Sequence, residues 1–286
     1  MKEAGYYEKR DGGRVVCVLC PHNCHLADGG VGVCQARKNH WGTLYSLNYG
    51  QVSSLALDPI EKKPIKMFKA GSSVLSAGSF GCNFRCGYCQ NWSISQEHPG
   101  TRKVLPEELV DLARKYAHSN PHCIGLAYTY SEPAIWYEYV LDCARLAKKA
   151  GMDNILVTNG YIEPEPLREL LPHIDAINLD IKSYTEDFYR QLCGGSLHRV
   201  LANAKVMAES CHLEVTTLLV PGYNDDPKEI AQLAKFIAGI DSGIPLHLTR
   251  YFPNYKMELP PTARETMQTA YDTASKFLRH VFLGNI

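Results

Sequence analysis

Three cysteines in the stretch from Ser79 to Asn91, SFGCNFRCGYCQN, constrain this chain more than any other feature. Cys82, Cys86 and Cys89 fall at C-x3-C-x2-C spacing. Thiolates this close in sequence can grip one metal centre, but three are one short of a closed site. Structural zinc takes four ligands, typically from paired C-x2-C turns, which this loop alone does not supply. A [4Fe-4S] cube has four irons and usually four cysteine ligands, so a three-cysteine loop leaves one iron free to bind something else. The cluster is the better reading. Phe84 and Tyr88 flank the ligands with apolar bulk, and Gly81 and Gly87 let the backbone wrap closely around it.

A second set lies upstream. Cys17, Cys20, Cys24 and Cys34 make a C-x2-C-x3-C-x9-C pattern, and Pro21, Asn23, Gly29, Gly30 and Gly32 between them are turn formers. Four thiolates can close a site, as a structural zinc knuckle or as an auxiliary iron-sulfur cluster; both metals suit the ligands. His22, His25 and His40 then read as surface residues. The chain has 11 cysteines, and the two sets account for most of them, a metal pattern rather than a secreted disulfide framework. A reducing compartment follows. The charged N-terminus lacks a signal-like apolar core and no later run approaches a membrane span, so a cytoplasmic protein without membrane contact is expected. Lys plus Arg number 30 and Asp plus Glu number 30, a balance that leaves no nucleic-acid footprint.

The remaining chain alternates apolar runs with helical patterns, the signature of parallel strands joined by crossovers. Expected strands are residues 74–80, 124–130, 154–158, 176–181, 213–220 and 246–252. Expected helices are 107–117 and 135–150, another opened by Asp226-Pro227-Lys228-Glu229, and a last one opened by Thr262-Ala263-Arg264-Glu265 whose stripe runs through Leu278 to Val281. Six such units describe an α/β fold, a partial (β/α)6 barrel over residues 74–286. Residues 1–73 form the four-cysteine knuckle, a β-hairpin turning near Gly50, and an irregular connector. Barrel chemistry sits at the C-terminal ends of strands, where this sequence gathers Cys82, Cys86 and Cys89, then Thr129 to Pro133, Thr158 to Gly160, Asp180 with Lys182, Pro221 to Asp225, and His247 with Arg250.

The cysteine loop resembles the radical S-adenosylmethionine (SAM) superfamily, and the resemblance runs from about Val74 onward. CQNWSISQ, YTYSEP, VTNGY, NLDIKS and LLVPGYND together resemble the pyruvate formate-lyase activating enzymes. The N-terminal CVLCPHNC and the HLTRYFPNYKM stretch resemble one branch, the AmmeMemoRadiSam-system enzymes, found beside Memo-like and AMMECR-like partners. The resemblance implies a [4Fe-4S] cluster whose open iron is chelated by SAM, and a reductant such as flavodoxin or ferredoxin. It places Tyr88 near the adenine, the Ser131-Glu132-Pro133 segment at the SAM amino group, Asn159 at the ribose, and Asp180 and Lys182 near the methionine end. Where activating enzymes have an Arg and a His, this chain has Thr216 and Phe252, so Arg250 or His247 replaces those contacts.

The resemblance implies an enzyme that reductively cleaves SAM to a 5′-deoxyadenosyl radical and abstracts hydrogen from a protein, peptide or small-molecule substrate. One alternative is activation of a glycyl-radical enzyme. Another, of a different class, is a non-catalytic iron-sulfur electron carrier or metal-binding adaptor, which would need no SAM-binding rim. Cys123, Cys143, Cys193 and Cys211 read as small buried apolar residues, with Cys193, next to Gly194-Gly195, the one that could serve radical chemistry as a thiol hydrogen donor.

Overall fold

A computed structural model describes residues 1–286. Eight strands form its central sheet: β1 (Ser54–Pro59), β2 (Ser73–Gly78), β3 (Cys123–Tyr128), β4 (Asp153–Thr158), β5 (Ala176–Asp180), β6 (His212–Leu219), β7 (Leu246–Arg250) and β8 (Val281–Gly284). They lie side by side in chain order. β1 runs antiparallel to β2, and every later pair is parallel. Parallel neighbours require crossovers. These are supplied by helices Pro106–Ser119, Tyr137–Lys149, Pro164–Leu170, Leu197–Ser210, Pro227–Asp241 and Arg264–Ala274. The edges β1 and β8 do not pair, so the barrel is partial.

All six expected strands are present within one or two residues of their expected bounds, because short β-branched runs buried on both faces are a strong parallel-strand signal. Asp226 caps its helix, accepting a hydrogen bond from the Lys228 N–H at 2.7 Å. Three expectations are corrected. The last helix ends at Ala274, and Val281 opens β8 beside Leu246 of β7 instead of continuing the helical stripe. A short apolar run can match both periods, and here tertiary pairing decides. Thr262 does not cap that helix; its hydroxyl donates to the Leu219 carbonyl at 2.6 Å. The N-terminal hairpin joins Arg37–His40 to Thr43–Ser46, and no pairing crosses Gly50. Gln51–Val52 instead pairs with Arg102–Lys103.

Residues on both sides of position 73 share one core. Val15, Cys17, Leu19, Leu26 and Leu44 pack in the same cluster as the barrel strands. Arg37, fully buried, donates to Glu138 at 2.7 Å and to the Ile135 carbonyl at 3.2 Å. Glu138 also accepts the Gly5 N–H, so a buried charge pair fixes the N-terminal region to the helix Tyr137–Lys149. No helix is long and apolar enough to cross a membrane.

The connector between β1 and β2 closes the N-terminal end of the barrel. Ile60 and Ile65 insert against Val74, Ala127, Ile155 and Ala176. Glu214, with no exposed side-chain surface, accepts the Lys66 and Met67 N–H groups at 2.9 and 2.7 Å and faces His212 at 2.9 Å and His247 at 2.5 Å. Burial works against the Glu214 charge, but the two imidazoles and two N–H donors win, and its pKa falls to about 2. A carboxylate with a depressed folded pKa contributes stability that is present above its unfolded pKa and lost as pH falls toward the folded one. Glu214→Gln should therefore lower unfolding stability at pH 7 by up to about 3 kcal/mol. That gap should shrink between the unfolded value of 4.5 and about 2. Denaturant unfolding of both forms across this range checks it, and a gap independent of pH would contradict it.

Candidate active site

A cavity of about 570 Å³ runs from the cysteine loop down through the barrel. The C-terminal ends of β2, β3, β4 and β5 deliver Cys82, Cys86, Cys89, Tyr88, Glu132, Asn159, Asp180 and Lys182 to its wall. His247 and Thr216 line it lower down. Arg250, expected at this rim, is not brought to it. Its Nε donates to the Thr262 carbonyl at 2.6 Å and its guanidinium lies 5.0 Å over the Phe252 ring, outside the lining residues. At the C-terminus of β7 its side chain follows the last connection and not the cavity.

Two sulfurs of the loop have polar partners. The Cys82 sulfur accepts the Phe84 N–H at 3.3 Å and lies 3.8 Å from the Asn159 amide. Cys89 is 3.2 Å from the Ser95 hydroxyl. As the side chains stand, neither cysteine set closes into a group able to hold a metal ion; the sulfurs point to these partners. Three sulfurs on one wall, two of them with polar partners, nevertheless match the needs of thiolate cluster ligands, whose charge is balanced by surrounding hydrogen bonds.

Glu132 works as a cross-strand tie. Its carboxylate accepts the Thr158 hydroxyl at 2.6 Å and the Asn159 and Ala134 N–H groups at 2.8 Å. Burial raises its pKa against those donors. Asn159 in turn donates to the Asn83 side chain at 2.9 Å, linking the end of β4 to the cysteine loop. Lys182 is ion-paired with Asp180; burial opposes its charge, but the Asp180 carboxylate overcomes that and raises its pKa. The other Asp180 oxygen, Oδ1, is buried without a partner. Sequence reasoning did not find Tyr130, Asp58 and Lys63 as a group. Tyr130, a cavity residue held at φ 70°, donates to Asp58 at 2.6 Å, and Lys63 reaches the same carboxylate at 2.8 Å while lying 4.4 Å over the Tyr130 ring. Burial works against the Asp58 charge, yet these donors with Lys62 hold it well below the usual carboxylate range. A non-glycine residue in the left-handed region carries strain that clusters at functional sites. The only signal available was the Tyr128-Thr129-Tyr130-Ser131-Glu132-Pro133 run itself, whose second tyrosine has no near neighbour that points to Asp58 or Lys63.

The four-cysteine region abuts this loop. Cys17, Cys20 and Cys34 are buried and Cys24 is half-buried. Burial pushes the Cys34 thiol up to about 11, with Cys17 and Cys24 adding to the rise, so these sulfurs are electrostatic neighbours. His22, expected at the surface, is half-buried with its Nε2 2.7 Å from the Asn83 carbonyl of the cysteine loop. Arg85 also bonds the Val33 carbonyl.

Comparisons with known proteins agree with this geometry. Residues 78–234, more than half the chain, match the radical SAM superfamily. The chain belongs to that superfamily and is an enzyme. An uncharacterized protein of Methanocaldococcus jannaschii is 42% identical over all of this chain and 86% of its own length. The pyruvate formate-lyase 1-activating enzyme of Escherichia coli K12 is 29% identical across 66% of this chain and 82% of that enzyme, which establishes homology to the activating enzymes. The crystal structure of a radical SAM methyltransferase from Sphaerobacter thermophilus shares the fold, with a TM-score of 0.58 at 13% identity over 99% of this chain and 75% of that one. Membership implies a [4Fe-4S] cluster and SAM, and the chemistry is reductive SAM cleavage followed by hydrogen abstraction.

Gly81 sits where the two cysteine regions touch, at φ 87°, and a Cβ there would come within 2.4 Å of the Cys34 carbonyl oxygen. Gly81→Ala should destabilise the protein by about 1–3 kcal/mol and lower the iron and sulfide retained after anaerobic reconstitution. Unchanged stability and metal content would show that the contact does not position the loop.

Proposed function

We propose that Cys82, Cys86 and Cys89 bind three irons of the [4Fe-4S] cluster and leave the fourth for SAM, which occupies the upper cavity. The observation that carries this is the placement of all three thiols on the wall that also bears Glu132, Asn159, Asp180 and Lys182. When bound, the cluster supplies the electron that cleaves SAM. The protein's own groups bind and orient. Glu132 and the unpartnered Asp180 Oδ1 offer acceptors for an amino group, Lys182 offers charge to a carboxylate, and Tyr88 lies beside the loop as an aromatic wall. Lower in the cavity, Lys63, Tyr130 and His247 face the space left for substrate. A simple electron carrier has no use for such a cavity.

The four N-terminal cysteines hold a separate ion, zinc or a second cluster, in a knuckle packed against the barrel. The CVLCPHNC and HLTRYFPNYKM stretches support the AmmeMemoRadiSam branch, with Memo-like and AMMECR-like proteins as partners and flavodoxin or ferredoxin as reductant. The substrate favoured is a protein or peptide. Activation of a glycyl-radical enzyme is the second reading, supported by the 29% identity to an activating enzyme.

Replacing Cys82, Cys86 and Cys89 together with Ala should abolish 5′-deoxyadenosine formation from SAM and dithionite while the N-terminal ion stays bound; product formed at the wild-type rate would refute the ligand assignment. Changing Cys20 and Cys24 to Ala should remove that ion and lower the melting temperature, since the free energy of binding a structural metal adds to that of folding. Full metal content in this variant would mean that the four cysteines are no site.

A further inference from the structure

The wall of the cavity changes its charge from one end to the other. Beside the cysteine loop it carries two carboxyl groups, Glu132 and Asp180, against one ammonium, Lys182. Toward the connector that closes the barrel it carries three ammonium groups, Lys62, Lys63 and Lys66, against one carboxyl group, Glu61, which accepts the Gly71 N–H at 2.6 Å. One more carboxylate stands behind the lysines: Asp58 binds Lys62 at 3.1 Å and Lys63 at 2.8 Å. Three ammonium groups against two carboxylates leave this end with one positive charge in surplus.

Two of these lysines keep unspent donors. The Lys63 side chain is only 4% exposed. An ammonium has three N–H groups; Asp58 takes one, and the Tyr130 ring lies 4.4 Å from the nitrogen. Burial lowers the Lys63 pKa although Asp58 pulls the other way, so this ammonium is short of negative partners where it stands. Lys66 forms no salt bridge. Its ammonium lies 4.6 Å over the Phe282 ring, and the nearby Glu214 carboxylate is spent on the Lys66 and Met67 backbone N–H groups and on two histidines. On β6, Thr216 accepts the Asn178 amide at 2.9 Å, which leaves its own O–H without a protein acceptor in the same wall. Buried cations are stable when paired, and every unspent group here is a donor.

We propose that this end of the cavity is a subsite for an anionic group of the substrate, a carboxylate or a phosphate, bound by Lys63 and Lys66 with the Thr216 hydroxyl as a further donor. It rests on the assignment of the upper cavity to SAM. An anion anchored here holds the substrate by one end and turns the remainder toward the cysteine loop, where hydrogen is abstracted. Charge also selects, because a cationic group at this end would meet like charge.

Inorganic phosphate and glutarate are the probes, titrated calorimetrically at constant ionic strength into the anaerobically reconstituted protein with excess SAM. Saturable binding of at least one is expected, and the tighter probe names the anion: phosphate for a phosphoryl group, glutarate for a carboxylate. Lys66→Met keeps an apolar stem and removes the charge, and it should weaken that probe about tenfold. Lys63→Met should weaken it at least as much. Lys69→Met removes a cation of the same connector that pairs with Asp153 and is absent from the cavity wall, and it should leave the affinity unchanged. No saturable binding of either probe, an unchanged affinity in Lys66→Met, or an equal loss in Lys69→Met overturns the proposal. If Lys63→Met fails to fold, Lys66→Met alone decides. 5′-Deoxyadenosine is assayed on the same wild-type preparation: none formed refutes SAM cleavage at the cysteine loop and leaves the anion comparison standing.

Discussion

The site depends on how the loop carrying Cys82, Cys86 and Cys89 is gripped. A loop of this length has no core of its own, and its ligand geometry is only as good as the backbone contacts around it. Here it is held from two directions. On one side the N-terminal region presses the Cys34 carbonyl against Gly81 and sets His22 on the Asn83 carbonyl. On the other, the turn ending in Cys193 bonds Arg85 and Gly87, and Gly195 packs on Phe84. Asn159 reaches in from β4 to Asn83. Each contact is worth only about 1 kcal/mol, but together they fix one loop conformation.

The same economy governs the carboxylates. Glu132 and Glu214 are both buried and both answered by several donors, yet they do opposite things to their own charge. Glu214 faces two imidazoles and two N–H groups and is held ionised, so it fixes the connector under the barrel. Glu132 has neutral donors only in direct contact, and burial raises it. Ionisation of a buried carboxyl depends on the hydrogen bonds it accepts as well as on depth. Asp180 keeps one oxygen free beside Lys182, a polarity the cavity retains for a ligand.

Much of this was legible in the sequence, for a physical reason. Parallel strands buried on both faces leave continuous apolar runs, and a metal loop leaves cysteines at fixed spacing; both are local signals. What escaped was nonlocal. Val281 matched a helical stripe and a strand equally well, and only the open edge of β7 decides between them. Arg250 was expected at the rim from its place at a strand end, but the direction of its side chain depends on Thr262 and Phe252. Asp58 and Lys63 looked like part of an irregular connector because their partner, Tyr130, is on β3's exit. Cys193 read as a small buried residue, and nothing near it in sequence points to its backbone bond with Arg85. Glu214 carried no local signal, since its partners His247 and the connector N–H groups lie far from it in sequence.

The central claim is that the three-cysteine loop leaves one iron open to SAM inside this cavity. EPR spectra of the reduced, reconstituted protein, recorded with and without SAM, address it directly. Binding at the open iron should change the g values of the cluster signal, and Asp180→Ala should weaken that response while leaving iron and sulfide counts intact. A signal untouched by saturating SAM, at full cluster content, would contradict the account.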